Sequence, residues 1–216
     1  MKKGAIFDMD GLLLDSERIY QEKWIETAEL FGQIPHPDFP HAVCGSSGEH
    51  GLEIVHQYYP TVNAKEFWDT CMRLAWEQLL IYVPKNQGVD EILEYFQKNG
   101  VKLAVASSST RKMILHNLQA NDLLQYFDAV ISGEDIVHGK PAPDIFLKAA
   151  EEIGCDPKEC FVFEDGYNGI RAGAAAGCTT VMIPDTLAPT EEIQTLSAAI
   201  YANLHEALAQ IQQNKL

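Results

Sequence analysis

Gly4-Ala5-Ile6-Phe7 is a short apolar run that stops at two aspartates, Asp8 and Asp10, with Gly11 behind them. A run this short, closed by a turn signal, reads as one buried strand. Alternation along a strand sets Asp8 and Asp10 on the same side. Just past the carboxyl end of a strand is where open α/β sheets bind their ligands. Two carboxylates this close repel, and the usual remedies are a bound cation or a shared proton. Read alone, the same residues also fit an Asp-Gly turn that caps a helix starting near Ser16.

The rest of the chain shows what surrounds that strand. Helical spacing runs from Ser16 to Phe31 and stops at Gly32. Pro35, Pro37 and Pro40 then rule out a continuous helix. A Gly/Ser loop (44–48) leads to a short helix near Glu49–Tyr58, and Ala64–Tyr82 is helical again. No stretch between Asp15 and Pro84 has strand character. From Gly88 the pattern alternates: helix Val89–Lys98, strand Val101–Ala106, helix towards Leu118, strand Ala129–Ile131, helix Pro143–Ile153, strand Cys160–Phe163, helix Tyr167–Ala176, strand Thr179–Ile183, and a last helix His205–Gln213. Such alternation predicts an α/β fold, a Rossmann-like doubly wound parallel sheet. The expected organisation is an α/β catalytic core of residues 1–14 and 85–216, with an inserted all-helical cap domain of residues 15–84.

Polar groups cluster at the later strand ends too. Ser107 follows Val105-Ala106, where its hydroxyl and the amides opening the next helix suit a phosphate oxygen. Alone it reads better as a helix cap. Lys140 lies in Gly139-Lys140-Pro141-Ala142-Pro143-Asp144, and Glu164-Asp165-Gly166 closes the strand before it. Asp8, Asp10, Glu164 and Asp165 together would set up to four negative charges at one sheet edge. Close unit charges at a partly buried site cost several kcal/mol, so the cluster needs cations. Lys140 is one, and Mg²⁺, a hard ion satisfied by a few carboxylates, waters and phosphate oxygens, is the expected cofactor. An acidic cluster with these cures points to phosphoryl transfer.

Composition narrows the partners. Sixteen basic against 31 acidic residues leave a net charge of −15, a field that repels nucleic acid and anionic membrane surfaces. No apolar run approaches the roughly 18 residues of a membrane helix. Cys44, Cys71, Cys155, Cys160 and Cys178 form no CxxC pair, so neither a zinc site nor a disulfide framework is expected. Met1-Lys2-Lys3 leads straight into the strand, and a cytoplasmic protein, monomeric or weakly homo-oligomeric, is expected.

Asp8-Met9-Asp10-Gly11, Ser107, Lys140 and Glu164-Asp165 resemble, in order and spacing, the four motifs of the haloacid dehalogenase-like hydrolase superfamily. Asp8–Glu17, Gly139–Asp144 and Phe163–Gly173 resemble its β-phosphoglucomutase-like branch with a helical cap. The resemblance covers essentially the whole chain and implies a phosphatase of small phosphorylated metabolites, such as sugar phosphates or nucleotide-like monophosphates. It implies Asp8 as nucleophile, forming an aspartyl-phosphate, and Asp10 as general acid and then base. The implied metal ligands are Asp8, the Asp10 carbonyl and Asp165, with Glu164 assisting. Ser107 and Lys140 would hold the transferring phosphoryl group.

Mutase members of the branch carry a histidine where Tyr20 stands here, and an arginine in the cap loop that reads Gly45-Ser46-Ser47-Gly48-Glu49. Both departures favour hydrolysis over a phosphosugar mutase, the nearest alternative. A phospho-accepting receiver domain places its lysine last, whereas Lys140 precedes Glu164-Asp165. Tyr20, Gly45, Ser46, Ser47 and Glu49 are the candidate substrate contacts. Trp24, Trp68, Trp76, Tyr58 and Tyr59 fit a small helical core better than a stacking platform.

Overall fold

The computed structural model describes residues 2–43, 46 and 48–215. In chain order the elements are β1 (Gly4–Phe7), α1 (Glu17–Leu30), α2 (Phe39–Val43), α3 (Gly48–Tyr58), α4 (Ala64–Leu79), α5 (Val89–Lys98), β2 (Lys102–Ser107), α6 (Arg111–Ala120), β3 (Ala129–Ser132), α7 (Asp144–Glu152), β4 (Cys160–Glu164), α8 (Tyr167–Ala175), β5 (Thr179–Met182), α9 (Glu191–Leu196), β6 (Ala199–Ile200) and α10 (Leu204–Gln212). The chain divides into two compact units, Met1–Asp15 with Pro84–Leu216, and Ser16–Val83.

In the first unit six parallel strands form one sheet in the order β3-β2-β1-β4-β5-β6. The residues of β1 and β4 are buried throughout, as expected of parallel strands covered on both faces. Ile6 lies level with Ala104 and Val162 and joins a core layer with Ile145, Phe146, Ala149 and Ala150 of α7 and Ala172 of α8. Phe7, one residue on, points to the other face. Its ring stacks on Phe163 at 4.7 Å and meets Phe96 of α5 edge-on at 6.2 Å. Each fully buried phenylalanine of this kind contributes roughly 1.5–3 kcal/mol.

From β1 the chain steps outward to β2 and β3, then returns to lay β4 on the other side of β1. The strand order therefore reverses between β1 and β4. Loops leaving adjacent strands in opposite directions open a crevice at that point, where sheets of this kind bind ligands.

The second unit holds α1–α4. Its core gathers Trp24, Ala28, Phe39, Val43, Val55, Tyr59, Phe67 and Cys71, with Tyr20, Tyr58 and Trp68 packed against it. Trp24 meets Phe39 edge-on at 5.4 Å and lies tilted against Trp68 at 5.2 Å. The Tyr59 hydroxyl accepts the His36 amide at 2.9 Å. These aromatics hold the bundle together, and Trp76 is half-buried on α4.

Several elements differ from the sequence expectation. Helix α4 ends at Leu79 rather than Tyr82, because Val83 precedes Pro84 and the helical region is disfavoured there. Pro40 sits in the first turn of α2, the part of a helix that tolerates a missing amide. Helix α9 and strand β6 were not expected. The first has six residues and the second two, too short for periodicity to register, and burial of Ile193 against Ile170 and Met182 holds the region. Among the described residues no helix is long and apolar enough to cross a membrane, and Cys71, Cys155, Cys160 and Cys178 are free thiols.

Candidate active site

The motif after β1 is a tight, fully bonded turn. The Asp8 amide donates to the Phe163 carbonyl at 3.1 Å, extending the ladder with β4 by one residue. The Met9 carbonyl accepts from the amides of Leu13 and Leu14, both at 3.0 Å, and the Gly11 amide donates to Leu14 at 2.9 Å. Gly11 has φ +81°, and a β-carbon there would fall 2.4 Å from Oδ2 of Asp165. Glycine is thus required twice over, by conformation and by the carboxylate resting on it. From the far end of the insertion Asn86 closes the turn, its Nδ2 donating to the carbonyls of Gly11 at 2.8 Å and Leu12 at 3.1 Å.

Asp8 and Asp10 leave this turn into different surroundings. Asp8 is buried, and its Oδ1 lies 2.5 Å from Nζ of Lys140. The same ammonium lies 2.6 Å from Oε1 of Glu164 and 3.3 Å from the Ala106 carbonyl. It also sits 5.0 Å from the ring centroid of Phe146. Glu164 spends its other oxygen on the Gly166 amide at 2.8 Å. Oδ2 of Asp10, by contrast, accepts two hydroxyls, Ser107 Oγ at 3.0 Å and Ser109 Oγ at 2.8 Å. The Ser109 amide donates to Ser107 Oγ at 3.0 Å.

The capping alternatives fall to other residues. Thr110 caps α6, accepting the Met113 amide, so Ser107 and Ser109 are left to Asp10. Gly166 occupies the N-cap of α8, so neither Asp165 nor Asn168 caps it, and Ser16 makes no side-chain capping bond to α1.

One buried ammonium does not balance this cluster. Burial pushes the Asp8 carboxyl up to about 8. Lys140 opposes the rise, while Glu164 and Asp10 add to it. Lys140 is held above its ordinary value because Asp8 and Glu164 outweigh its own desolvation. Burial, aided by Glu164 and Asp10, thus outweighs a lysine at 2.5 Å. Among the described residues no three His, Cys, Asp or Glu side chains form a ready-made metal cage. A hard divalent ion that keeps several waters and takes one or two carboxylates fits such a donor set.

Of the sequence candidates, the structure brings together Asp8, Asp10, Ser107, Lys140 and Glu164, with Asp165 against Gly11. In the helical unit Tyr20 packs against the aromatic core. Glu49 is exposed in the first turn of α3, and the Ser46 hydroxyl bonds the Val43 carbonyl. Gly45 and Ser47 lie outside the described residues. Sequence reasoning missed Ser109 and Asn86. The period-two argument that pairs Asp8 with Asp10 also pairs Ser107 with Ser109 and could have found the first. Asn86 carries no local signal, since its partners lie 75 and 74 residues away.

Comparison with known proteins identifies the family. Residues 5–183 match the family model of the haloacid dehalogenase-like hydrolases. The chain is 32% identical over 178 residues to a phosphorylated carbohydrates phosphatase of Thermotoga maritima, covering 81% of this chain and 82% of that one. It is 34% identical over 187 residues to a probable pseudouridine-5'-phosphatase of Drosophila melanogaster, covering 84% and 81%. A crystal structure described as a putative beta-phosphoglucomutase from Thermotoga maritima superposes with a TM-score of 0.81 at 28% identity, covering 98% of this chain and 99% of that one. With its parallel sheet, its acidic strand ends and its match from Ala5 to Ile183, the chain belongs to the haloacid dehalogenase-like hydrolase family.

Proposed function

We propose that this protein is a Mg²⁺-dependent phosphatase of small phosphorylated metabolites, working through an aspartyl-phosphate on Asp8. The observation that carries the proposal is the separation of two aspartates from one turn: Asp8 faces an ammonium, and Asp10 faces two hydroxyls. An anionic nucleophile and a proton-transfer group need different surroundings, and this site supplies both.

Asp8 attacks phosphorus, forming an O–P bond as the ester O–P bond breaks, and Asp10 gives its proton to the departing oxygen. Asp10 then takes a proton from the water that attacks the phospho-enzyme, which releases inorganic phosphate and restores Asp8. Lys140 and Ser107 would neutralise and orient the phosphoryl oxygens, while Glu164 seats the ammonium. Asp8, the Asp10 carbonyl and Asp165 would hold Mg²⁺, and the ion would supply charge neutralisation to the phosphoryl group and to Asp8.

The helical unit Ser16–Val83 would serve as the cap that selects the leaving group, with Tyr20, Gly45, Ser46, Ser47 and Glu49 as substrate contacts. A polar loop with an acidic residue suits a hydroxyl-rich or neutral leaving group rather than a second phosphate. The named relatives, a phosphorylated carbohydrates phosphatase and a probable pseudouridine-5'-phosphatase, support that range.

The test is phosphate release from a panel of sugar phosphates and nucleoside monophosphates, with Asp8→Asn and excess chelator as controls. Asp8→Asn should lower turnover by about 10⁴-fold or more while the fold persists. Substantial turnover by that variant, or full activity in chelator, would overturn the mechanism. Isomerised hexose phosphate in place of free phosphate would establish the mutase instead.

A further inference from the structure

We infer that Ser109 is the positioning residue that keeps Asp10 aimed at the leaving-group oxygen while substrate is bound. The inference rests on the phosphatase reading and adds a residue to it.

Ser107 and Ser109 both reach the same oxygen of Asp10, at 3.0 and 2.8 Å. A serine hydroxyl carries one proton and so makes one donated bond at a time. Ser107 is also the residue proposed to hold a phosphoryl oxygen. Once it turns its proton to that oxygen, its bond to Asp10 is given up. Ser109 has no such competing duty. Its amide holds Ser107 Oγ at 3.0 Å while its hydroxyl stays on Asp10 Oδ2. The Ser107-Ser108-Ser109 run is built for this division. Ser107 is buried at the end of β2, Ser108 points out to solvent, and Ser109 returns to the site half-buried. Capping of α6 belongs to Thr110, so the Ser109 hydroxyl is not needed to start that helix.

In the first half-reaction the ester O–P bond breaks as the Asp8 O–P bond forms, and the Asp10 proton passes to the departing oxygen. Ser109 neither gains nor loses a proton. It fixes the direction from which the proton comes. Misaiming a general acid harms esters whose leaving oxygen must be protonated and largely spares those that depart as stable anions. The signature is therefore a loss that depends on the leaving group.

The experiment uses the full chain with Mg²⁺ and two probes, glycerol 2-phosphate and p-nitrophenyl phosphate. It compares kcat/KM, which reports transfer to Asp8, for Ser109→Val and Ser109→Thr, a pair of similar shape differing in the hydroxyl. Ser109→Val should lose about tenfold more on the alkyl ester than on the aryl ester, and Ser109→Thr should restore most of the difference. Equal losses on both probes would mean that Ser109 grips the phosphoryl group or merely supports the loop. Unchanged values would mean it does nothing for Asp10. Either result overturns the inference and leaves the phosphatase reading standing. If the unsubstituted enzyme turned over neither probe nor any ester of the metabolite panel, both would fall together. Matching circular dichroism and thermal midpoints for the two variants exclude misfolding as the source of a difference.

Discussion

The α-carbon of Gly169 lies against the carboxylate of Glu164, so that a β-carbon added there would fall 1.7 Å from Oε1 and 2.5 Å from Oε2. Helix α8 thus meets the end of β4 with no room for a side chain. The carboxylate it presses on is the one bonded to Lys140 and the Gly166 amide. Gly169→Ala must push Glu164 off one or both partners. Overpacking of this kind costs about 1–3 kcal/mol, and the variant should lose activity along with stability because the Lys140 ammonium loses its seat. Chemical denaturation beside an activity assay would show it, and a fully stable, fully active variant would mean that the contact yields freely.

Asp8 carries a pH signature. Its carboxyl is raised to about 8 in the folded chain against an ordinary 3.8, chiefly by burial. The folded state holds that proton more tightly than the unfolded one. The stability it contributes is fully present below about pH 4 and lost as pH rises through about 8. In excess chelator, Asp8→Asn should therefore become progressively more stable than the parent chain between those limits, and added Mg²⁺ should narrow the gap. Thermal midpoints across that range, with and without metal, are the measurement. A gap that stays constant with pH would contradict the assignment.

Lys140 offsets two buried carboxylates at once. Removing one partner of a buried pair costs about 3–5 kcal/mol, because the charge left behind is uncompensated. Lys140→Ala should be destabilised by that order above about pH 8, where Asp8 is ionised, and by less in mild acid, where Asp8 holds its proton. Denaturant midpoints at the two pH values decide it. A penalty equally large in acid would show that lost packing on Phe146, not charge, sets the cost.

Asn86 ties the turn behind Asp10 to the segment that returns from the insertion. Beside its two side-chain bonds, its amide donates to the Leu13 carbonyl at 3.0 Å, and the Asp15 amide donates to Pro84 at 2.9 Å. Asn86→Ala keeps the backbone bonds and deletes the side-chain ones, a loss of about 1–3 kcal/mol for two partly buried carbonyls. Hydrogen exchange should quicken at the amides of Leu13 and Leu14, which close the turn. Unaltered protection at those amides would refute the role.

The strand ends were legible because they are local. Apolar runs such as Gly4–Phe7 and Cys160–Phe163 close in carboxylates and glycines within a few residues, and period-two alternation tells which side each faces. The helical insertion was legible for the same reason, although α4 runs three residues short of its apolar pattern, because a pre-proline residue follows, and α9 is too short to show a period.

The chain alone thus determined that Asp8, Asp10, Ser107, Glu164 and Asp165 would stand at carboxyl ends of strands, since hydrophobic spacing and turn chemistry act over a few residues. Only the tertiary structure decided who holds whom: Lys140 bridging Asp8 and Glu164, Ser109 sharing Asp10 with Ser107, and Asn86 locking Gly11. Those partners are brought together by the strand order β3-β2-β1-β4-β5, across separations of 24 to 132 residues. No local pattern encodes such a meeting, because its energy comes from burial and charge compensation that exist only once the sheet has closed.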